Sequence, residues 1–137
     1  MGEKLFELMD VLHDNGTVFN LISNGYLFDQ KILDRLKKYR FYLIQISLDS
    51  CSSKLHDEFR GVKGSWERAA NAAYRVALSG IPLRIASTVT PRDIEHLEEF
   101  IRMAINLGAS YLTIGEIMPS GRAFDNEEFF MSRDELN

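Results

Sequence analysis

Three times along this chain, a helix-patterned segment runs into a glycine and then directly into an apolar, β-rich stretch. The junctions read DNGT at residues 14–17, LSGI at 78–81 and NLGA at 106–109. Glycine tolerates the left-handed conformation that closes a helix, so each junction is a stop followed by a strand. Repetition of helix, glycine, strand and polar loop constrains the fold more than any other feature. Such alternation produces right-handed crossovers and a parallel sheet.

The remaining pattern fills in the units. Leu5, Leu8, Met9 and Leu12 recur at helical spacing over 3–15, and a strand is expected at 17–22. Asp29 opens a second helix with Ile32, Leu33 and Leu36 turned inward, and 42–48 (YLIQISL) reads as a strand. A long polar loop is expected from Asp49 to about Gly64. Ser65 is the expected cap of a third helix, with Ala69, Ala70, Ala73, Val76 and Ala77 as its buried stripe. Residues 83–89 form the third strand. Thr90-Pro91-Arg92-Asp93 then combines a cap, a first-turn proline and an acid, which starts a helix carrying Leu97, Phe100, Ile101, Ala104 and Ile105 inward. Residues 111–115 form the fourth strand, Pro119 and Gly121 mark a loop, and Ser132-Arg133-Asp134-Glu135 reads as a capping box opening another helix.

The expected fold is therefore α/β: four parallel strands with four to five helices, read as one unit over 1–137. A closed barrel of eight such units takes about 250 residues. The 137 residues here cover about half of one, so the chain reads as part of a TIM-type barrel. Outer strands of a half-barrel carry unpaired backbone groups, and self-association through those edges is expected.

Composition narrows the partners. A net charge of −4 disfavours nucleic acid, which selects basic faces. No apolar run approaches the ~20 residues of a membrane span, and the N-terminus has no secretory pattern. Cys51 is the sole cysteine, which removes an internal disulfide framework, fits a reducing cytoplasm, and cannot by itself hold a zinc ion or an iron–sulfur cluster.

In parallel α/β folds, ligands bind beyond the C-terminal ends of the strands. Ser23-Asn24-Gly25, Ser47-Leu48-Asp49, Thr88-Val89-Thr90 and Glu116-Ile117-Met118-Pro119 lie there. Each has a plain alternative. Asn24-Gly25 is a common turn pair, Ser47 and Asp49 can end a strand, Thr90 is a helix cap, and Glu116 can face water. His13 and His96 are expected to be solvated, Cys51 an incidental loop thiol, and Trp66 and Tyr74 packing residues. His56 shares its loop with Asp57 and Arg60 and is harder to dismiss.

At these strand ends the chain resembles radical S-adenosylmethionine enzymes. The segments LISNGYLFD, LIQISLDS, HDEFRGVKGSWERA, SGIPLRIASTVTPRDI and LGASYLTIGEIMPSGRA stand in that family's order and spacing. The likeness is greatest to the branch of peptide and cofactor maturases with an extra C-terminal cluster domain. The resemblance implies a partial barrel in which a 4Fe–4S cluster on a Cys-x3-Cys-x2-Cys loop binds S-adenosylmethionine. Reductive cleavage then gives a 5′-deoxyadenosyl radical that takes a hydrogen from substrate.

By resemblance, Ser47 contacts the methionine part or ribose, and Arg60 pairs with the methionine carboxylate. Ser23 and Asn24 match a TNG turn with serine in place of threonine, and Ile117 and Met118 meet the adenine. Asp49 supports the turn. The cluster loop and the glycine-glycine-glutamate motif are absent from these residues. The resemblance therefore implies the middle of a catalytic barrel, inactive on its own and without metal or catalytic residues of its own, whose parent acts on a peptide or small molecule. Two other readings stand beside it: a truncated scaffold used for protein contacts, and a receiver-like module with Asp49 as phosphoacceptor. The second lacks the acidic pair and lysine such a module needs.

Overall fold

A computed structural model describes residues 2–118, 123 and 125–132. Four strands, β1 (Phe19–Ser23), β2 (Phe41–Ser47), β3 (Leu83–Val89) and β4 (Tyr111–Glu116), form one sheet in the order β1-β2-β3-β4. All three pairings are parallel. The helices are α1 (Glu3–Asp14), α2 (Gln30–Leu36), α3 (Ser53–Arg60), α4 (Ser65–Leu78) and α5 (Leu97–Asn106). This is the α/β arrangement that the repeating glycine junctions imply. Gly16, Gly80 and Gly108 all have positive φ, so each junction is the left-handed stop its sequence announces.

The sheet is sided. Ile44 and Ile46 in β2 and Leu48 just after it, with Leu83 and Ile85 in β3, are buried in one core with the helices. Their alternates Gln45, Ser47, Arg84, Ala86 and Thr88 point to the opposite face. Leu43 is buried at one end of that face, and Ile22, paired with Gln45 across β1 and β2, is 68% exposed on it. In a closed barrel this is the inward face.

α4 contributes Ala69, Ala72, Ala73 and Val76 to the core. The small side chains let the chain after β1 approach closely. Gly25 has φ +74°, and a Cβ there would lie 2.8 Å from Ala69 Cα. Asn24-Gly25 is thus a required turn: the Ser23 hydroxyl accepts from Gly25 N–H (3.0 Å), and Asn24 Oδ1 accepts from Tyr26 N–H (3.1 Å).

Several expectations need correction. The segment between Asp49 and Gly64 is not a loop but contains α3. Its start is capped by the Ser52 hydroxyl, which accepts from Leu55 N–H, and its end by Gly61 in the left-handed conformation. Ser65 is not the cap of α4. The cap residue is Gly64, and the missing side-chain acceptor comes from another helix. Asp57 of α3 accepts from Gly64 N–H (2.5 Å), Ser65 Oγ (2.9 Å) and Trp66 N–H (2.8 Å). These bonds hold the Asp57 carboxyl below its usual range, the Trp66 N–H most strongly.

Thr90 does open a helical segment, with Asp93 accepting from both its N–H (3.0 Å) and its hydroxyl (2.8 Å). The first turns, Pro91–His96, are 3-10 before α5 begins. In α1 the buried residues are Phe6 and Met9, while Leu8 and Leu12 are exposed; in α5 Ile101 and Ile105 are exposed beside buried Phe100 and Ala104. His13 is not freely solvated: its ring packs edge-on against Tyr39 at 5.5 Å. Tyr74 is exposed rather than packed. Pro119, Gly121 and the Arg133–Glu135 part of the capping pattern lie outside the described residues. No described helix is long and apolar enough to cross a membrane.

Candidate functional site

The C-terminal ends of β1 and β2 and the helices α3 and α4 enclose a cleft of about 230 Å³. It is lined by Asn24, Tyr26, Ser47, His56, Arg60, Val62 and Ser65. Three residues named from sequence, Asn24, Ser47 and Arg60, therefore meet at one place. Ser23 lies beside them with its hydroxyl committed to the Gly25 turn. Ile117 and Met118 follow β4, at the other edge of the sheet, and Met118 is exposed. The cleft is smaller than the roughly 300–1,000 Å³ of a complete small-molecule pocket, so it suits part of a ligand. A partly open pocket of about 60 Å³, lined in part by Asp49, Thr90, Asp93 and Phe129, has room for little more than water.

Asp49 organises the cleft. It is 3% exposed and lies two residues beyond Ser47. Its carboxylate accepts from Arg60 Nε (2.6 Å), Arg60 Nη2 (3.0 Å) and Thr88 N–H (3.1 Å). Its carbonyl accepts from Ser87 Oγ (2.8 Å), and its N–H donates to His56 Nδ1 (3.1 Å). One residue thus ties the end of β2 to α3 and β3. Asp49 supports the turn, as its position in the sequence suggests. A buried carboxylate already bound to a guanidinium is also a poor phosphoacceptor, which removes the physical basis for the receiver-like reading.

The pairing decides what Arg60 can offer. A guanidinium has five N–H groups, and Asp49 takes one from Nε and one from Nη2. Three remain on a side chain that is 35% exposed and lines the cleft. Arg60 can therefore be held by Asp49 and still donate to a carboxylate in the cleft. Ser47 adds a hydroxyl at the strand end. His56 is 2% exposed, and burial lowers its pKa, with Arg60 adding to the effect and Asp49 opposing it. Accepting at Nδ1 places its ring proton on Nε2. His56, Tyr26, Val62 and Ser65 line the cleft without having been named as contacts from sequence. Only His56 carried a signal, through its neighbours Asp57 and Arg60.

Metal chemistry finds no ligand set here. Among the described residues no group of three His, Cys, Asp or Glu side chains is placed to hold a metal ion. Cys51, the chain's sole cysteine, is half-buried, and burial followed by the charge of Glu99 raises its pKa. It is a poor thiolate and cannot anchor a cluster alone.

Parallel β/α units with a polar cleft at their carboxyl ends define a piece of a TIM-type barrel, a fold that binds ligands at its strand ends. The family model described as "Radical SAM superfamily" matches residues 1–104. The chain belongs to the radical S-adenosylmethionine superfamily. It is 27% identical over 124 residues to AdoMet-dependent heme synthase of Methanosarcina barkeri, covering 90% of this chain and 36% of that protein. It is 32% identical over 122 residues to PqqA peptide cyclase of Ruegeria pomeroyi, covering 89% and 33%. The fold matches the solved structure of anSMEcpe with bound AdoMet and Cp18Cys peptide at a TM-score of 0.78 and 17% identity, covering 98% of this chain and 40% of that one. The chain thus spans about a third of the length of these curated relatives. Members of the superfamily bind S-adenosylmethionine and a 4Fe–4S cluster. The cleft suits the first in part, and the residues present do not suit the second.

Proposed function

We propose that these residues form the section of a radical S-adenosylmethionine enzyme's barrel that holds the organic part of the cofactor. Arg60 binds the methionine carboxylate through the N–H groups that Asp49 leaves unused. Ser47 and Asn24 hydrogen-bond the ribose or the methionine part, Ser23 shapes the turn beside them, and Ile117 and Met118 contact the adenine. When bound with its cluster, S-adenosylmethionine supplies the 5′-deoxyadenosyl radical for hydrogen abstraction. The cluster's thiolates come from outside these 137 residues, so the isolated chain is inactive. The parent enzyme is cytoplasmic and acts on a peptide or a small molecule, a peptide being favoured by relatives named as a peptide cyclase and a mycofactocin maturase. The unpaired edges of β1 and β4 lead the isolated chain to self-associate.

The observation that carries this reading is the convergence of Asn24, Ser47 and Arg60 on one cleft at the strand ends, inside the segment matched by the family model. Anaerobic reconstitution of the chain with iron and sulfide tests it. The expected result is no stoichiometric 4Fe–4S absorbance and no 5′-deoxyadenosine on addition of dithionite and S-adenosylmethionine. A stoichiometric cluster or turnover on this chain alone would overturn the assignment.

A further inference from the structure

On the outer side of the barrel section, α2 and α4 leave a groove. One part, of about 370 Å³, is lined by residues 25–29 with Arg68, Asn71 and Arg75. A second part, of about 190 Å³, shares Arg75 and continues along Lys37 and Leu78. Arg68, Asn71 and Arg75 stand at i, i+3 and i+7, so they follow one face of α4. The two arginines are about 10.5 Å apart along the axis.

Asp29, which lines the groove, and Asp34 of α2 are engaged in local bonds. Asp29 caps α2 through Ile32 N–H (2.9 Å), and Asp34 holds Gln30 (2.9 Å) and Lys37 (3.7 Å). No ion pair joins a described carboxylate to Arg68 or Arg75; Arg68 lies 4.4 Å over the Tyr26 ring and 3.5 Å from its carbonyl oxygen. Among the described residues one carboxylate, Asp29, lines the groove, against two guanidinium groups without an ion pair, in a chain of net charge −4. Exposed Leu27 lines the first part and exposed Leu78 the second (66% and 70%).

We infer that the groove between α2 and α4 is a docking site for an acidic segment of a polypeptide. The occupant has two carboxylates about 9–10 Å apart, the spacing of residues i and i+3 in a polyproline-II-like strand, with apolar side chains outside them. Two guanidinium groups fork onto two carboxylates, and Leu27 and Leu78 bury against the apolar flanks. A nucleic acid meets the same arginines but gains nothing from the leucines and is repelled by the net negative charge. The site is separate from the cofactor cleft and does not depend on its reading. Tyr26 lines both, so a docked segment lies against a wall of the cleft.

The test uses the 137-residue chain without S-adenosylmethionine. Its probe is a fluorescein-labelled peptide, Leu-Glu-Ala-Pro-Glu-Leu, read by anisotropy. The expected result is saturable binding that weakens at least about tenfold in Arg68→Ala/Arg75→Ala, and equally when both glutamates become glutamine. Arg102→Ala, on α5, leaves binding unchanged, and circular dichroism confirms that each variant is folded. Absence of saturable binding up to about 1 mM peptide would overturn the proposal. So would undiminished binding by the double variant. Displacement of the peptide by inorganic phosphate at equal concentration would reassign the groove as a simple anion site, and displacement by single-stranded RNA as a nucleic-acid site. Either outcome overturns it.

Discussion

The Asp49–Arg60 pair can be tested by a double-mutant cycle whose outcome follows from unequal burial. Asp49 is 3% exposed and Arg60 35%. Removing one member of a fully buried ion pair costs about 3–5 kcal/mol, mostly through the charge left behind. Arg60→Ala leaves a carboxylate in the interior with the Thr88 N–H (3.1 Å) as its remaining donor, so its cost falls near the lower end, about 3 kcal/mol. Asp49→Ala leaves a guanidinium that turns to water, so the loss is that of the carboxylate's hydrogen bonds, about 2 kcal/mol. With both removed no charge is stranded, and the double variant costs little more than Asp49→Ala alone. The coupling is then about 2–3 kcal/mol. Urea unfolding measures it, followed by circular dichroism and by Trp66, the chain's one tryptophan. Trp66 reports the same corner because its Nε1 donates to Ser50 O (2.9 Å). Costs that add within about 0.5 kcal/mol, or a cheaper Arg60→Ala than Asp49→Ala, would refute the reasoning.

Gly25→Ala meets positive φ and Ala69 Cα at 2.8 Å, and is expected to cost about 2–4 kcal/mol in the same assay; a neutral result would mean α4 does not pack against this turn. Acid should destabilise the fold in two steps. The folded pKa of His56 lies below its ordinary 6.5, so its contribution is present above 6.5 and is lost as pH falls from there toward the folded value. Asp57 is likewise lowered from 3.8, and its contribution is lost as pH falls through its folded pKa. His56→Asn, which keeps an acceptor for Asp49 N–H, should flatten the first step in pH-dependent urea midpoints; an unchanged step would assign it elsewhere. Light scattering should give a mass that rises with concentration, through pairing of the β1 and β4 edges, and a clean monomer at high concentration would contradict that.

The strands were legible because each is a local pattern closed by local turn chemistry. The glycine stops at Gly16, Gly80 and Gly108 mark helix ends, and Leu83–Val89 (LRIASTV) follows from its β-rich composition after the Gly80 stop. α3 escaped the reading because SKLHDEFR has only Leu55 and Phe59 as apolar residues, too few for a stripe. Its signals were the Ser52 cap and Gly61. The cap of α4 could not be read at all, because Asp57 supplies it from another helix through tertiary contact. In α1 the leucine spacing pointed to one face, while burial selected Phe6 and Met9, which meet Tyr39 and the sheet. Asn24 and Ser47 were legible as residues at strand ends, which converge in parallel folds, and Arg60 only through the resemblance of HDEFRG to the family. The grip of Asp49 on Arg60 was not, since it joins a strand end to a helix eleven positions further on, with no periodicity between them.

We propose that the cleft at the ends of β1 and β2 holds the organic part of S-adenosylmethionine. An amide NMR titration of the chain with S-adenosylmethionine tests it most directly. Weak binding is expected, with shifts confined to residues around Asn24, Ser47 and Arg60 and lost in Ser47→Ala, a change that removes one hydroxyl and leaves the Asp49 pair intact. Shifts centred elsewhere, or micromolar affinity that survives both Ser47→Ala and Arg60→Ala, would contradict it.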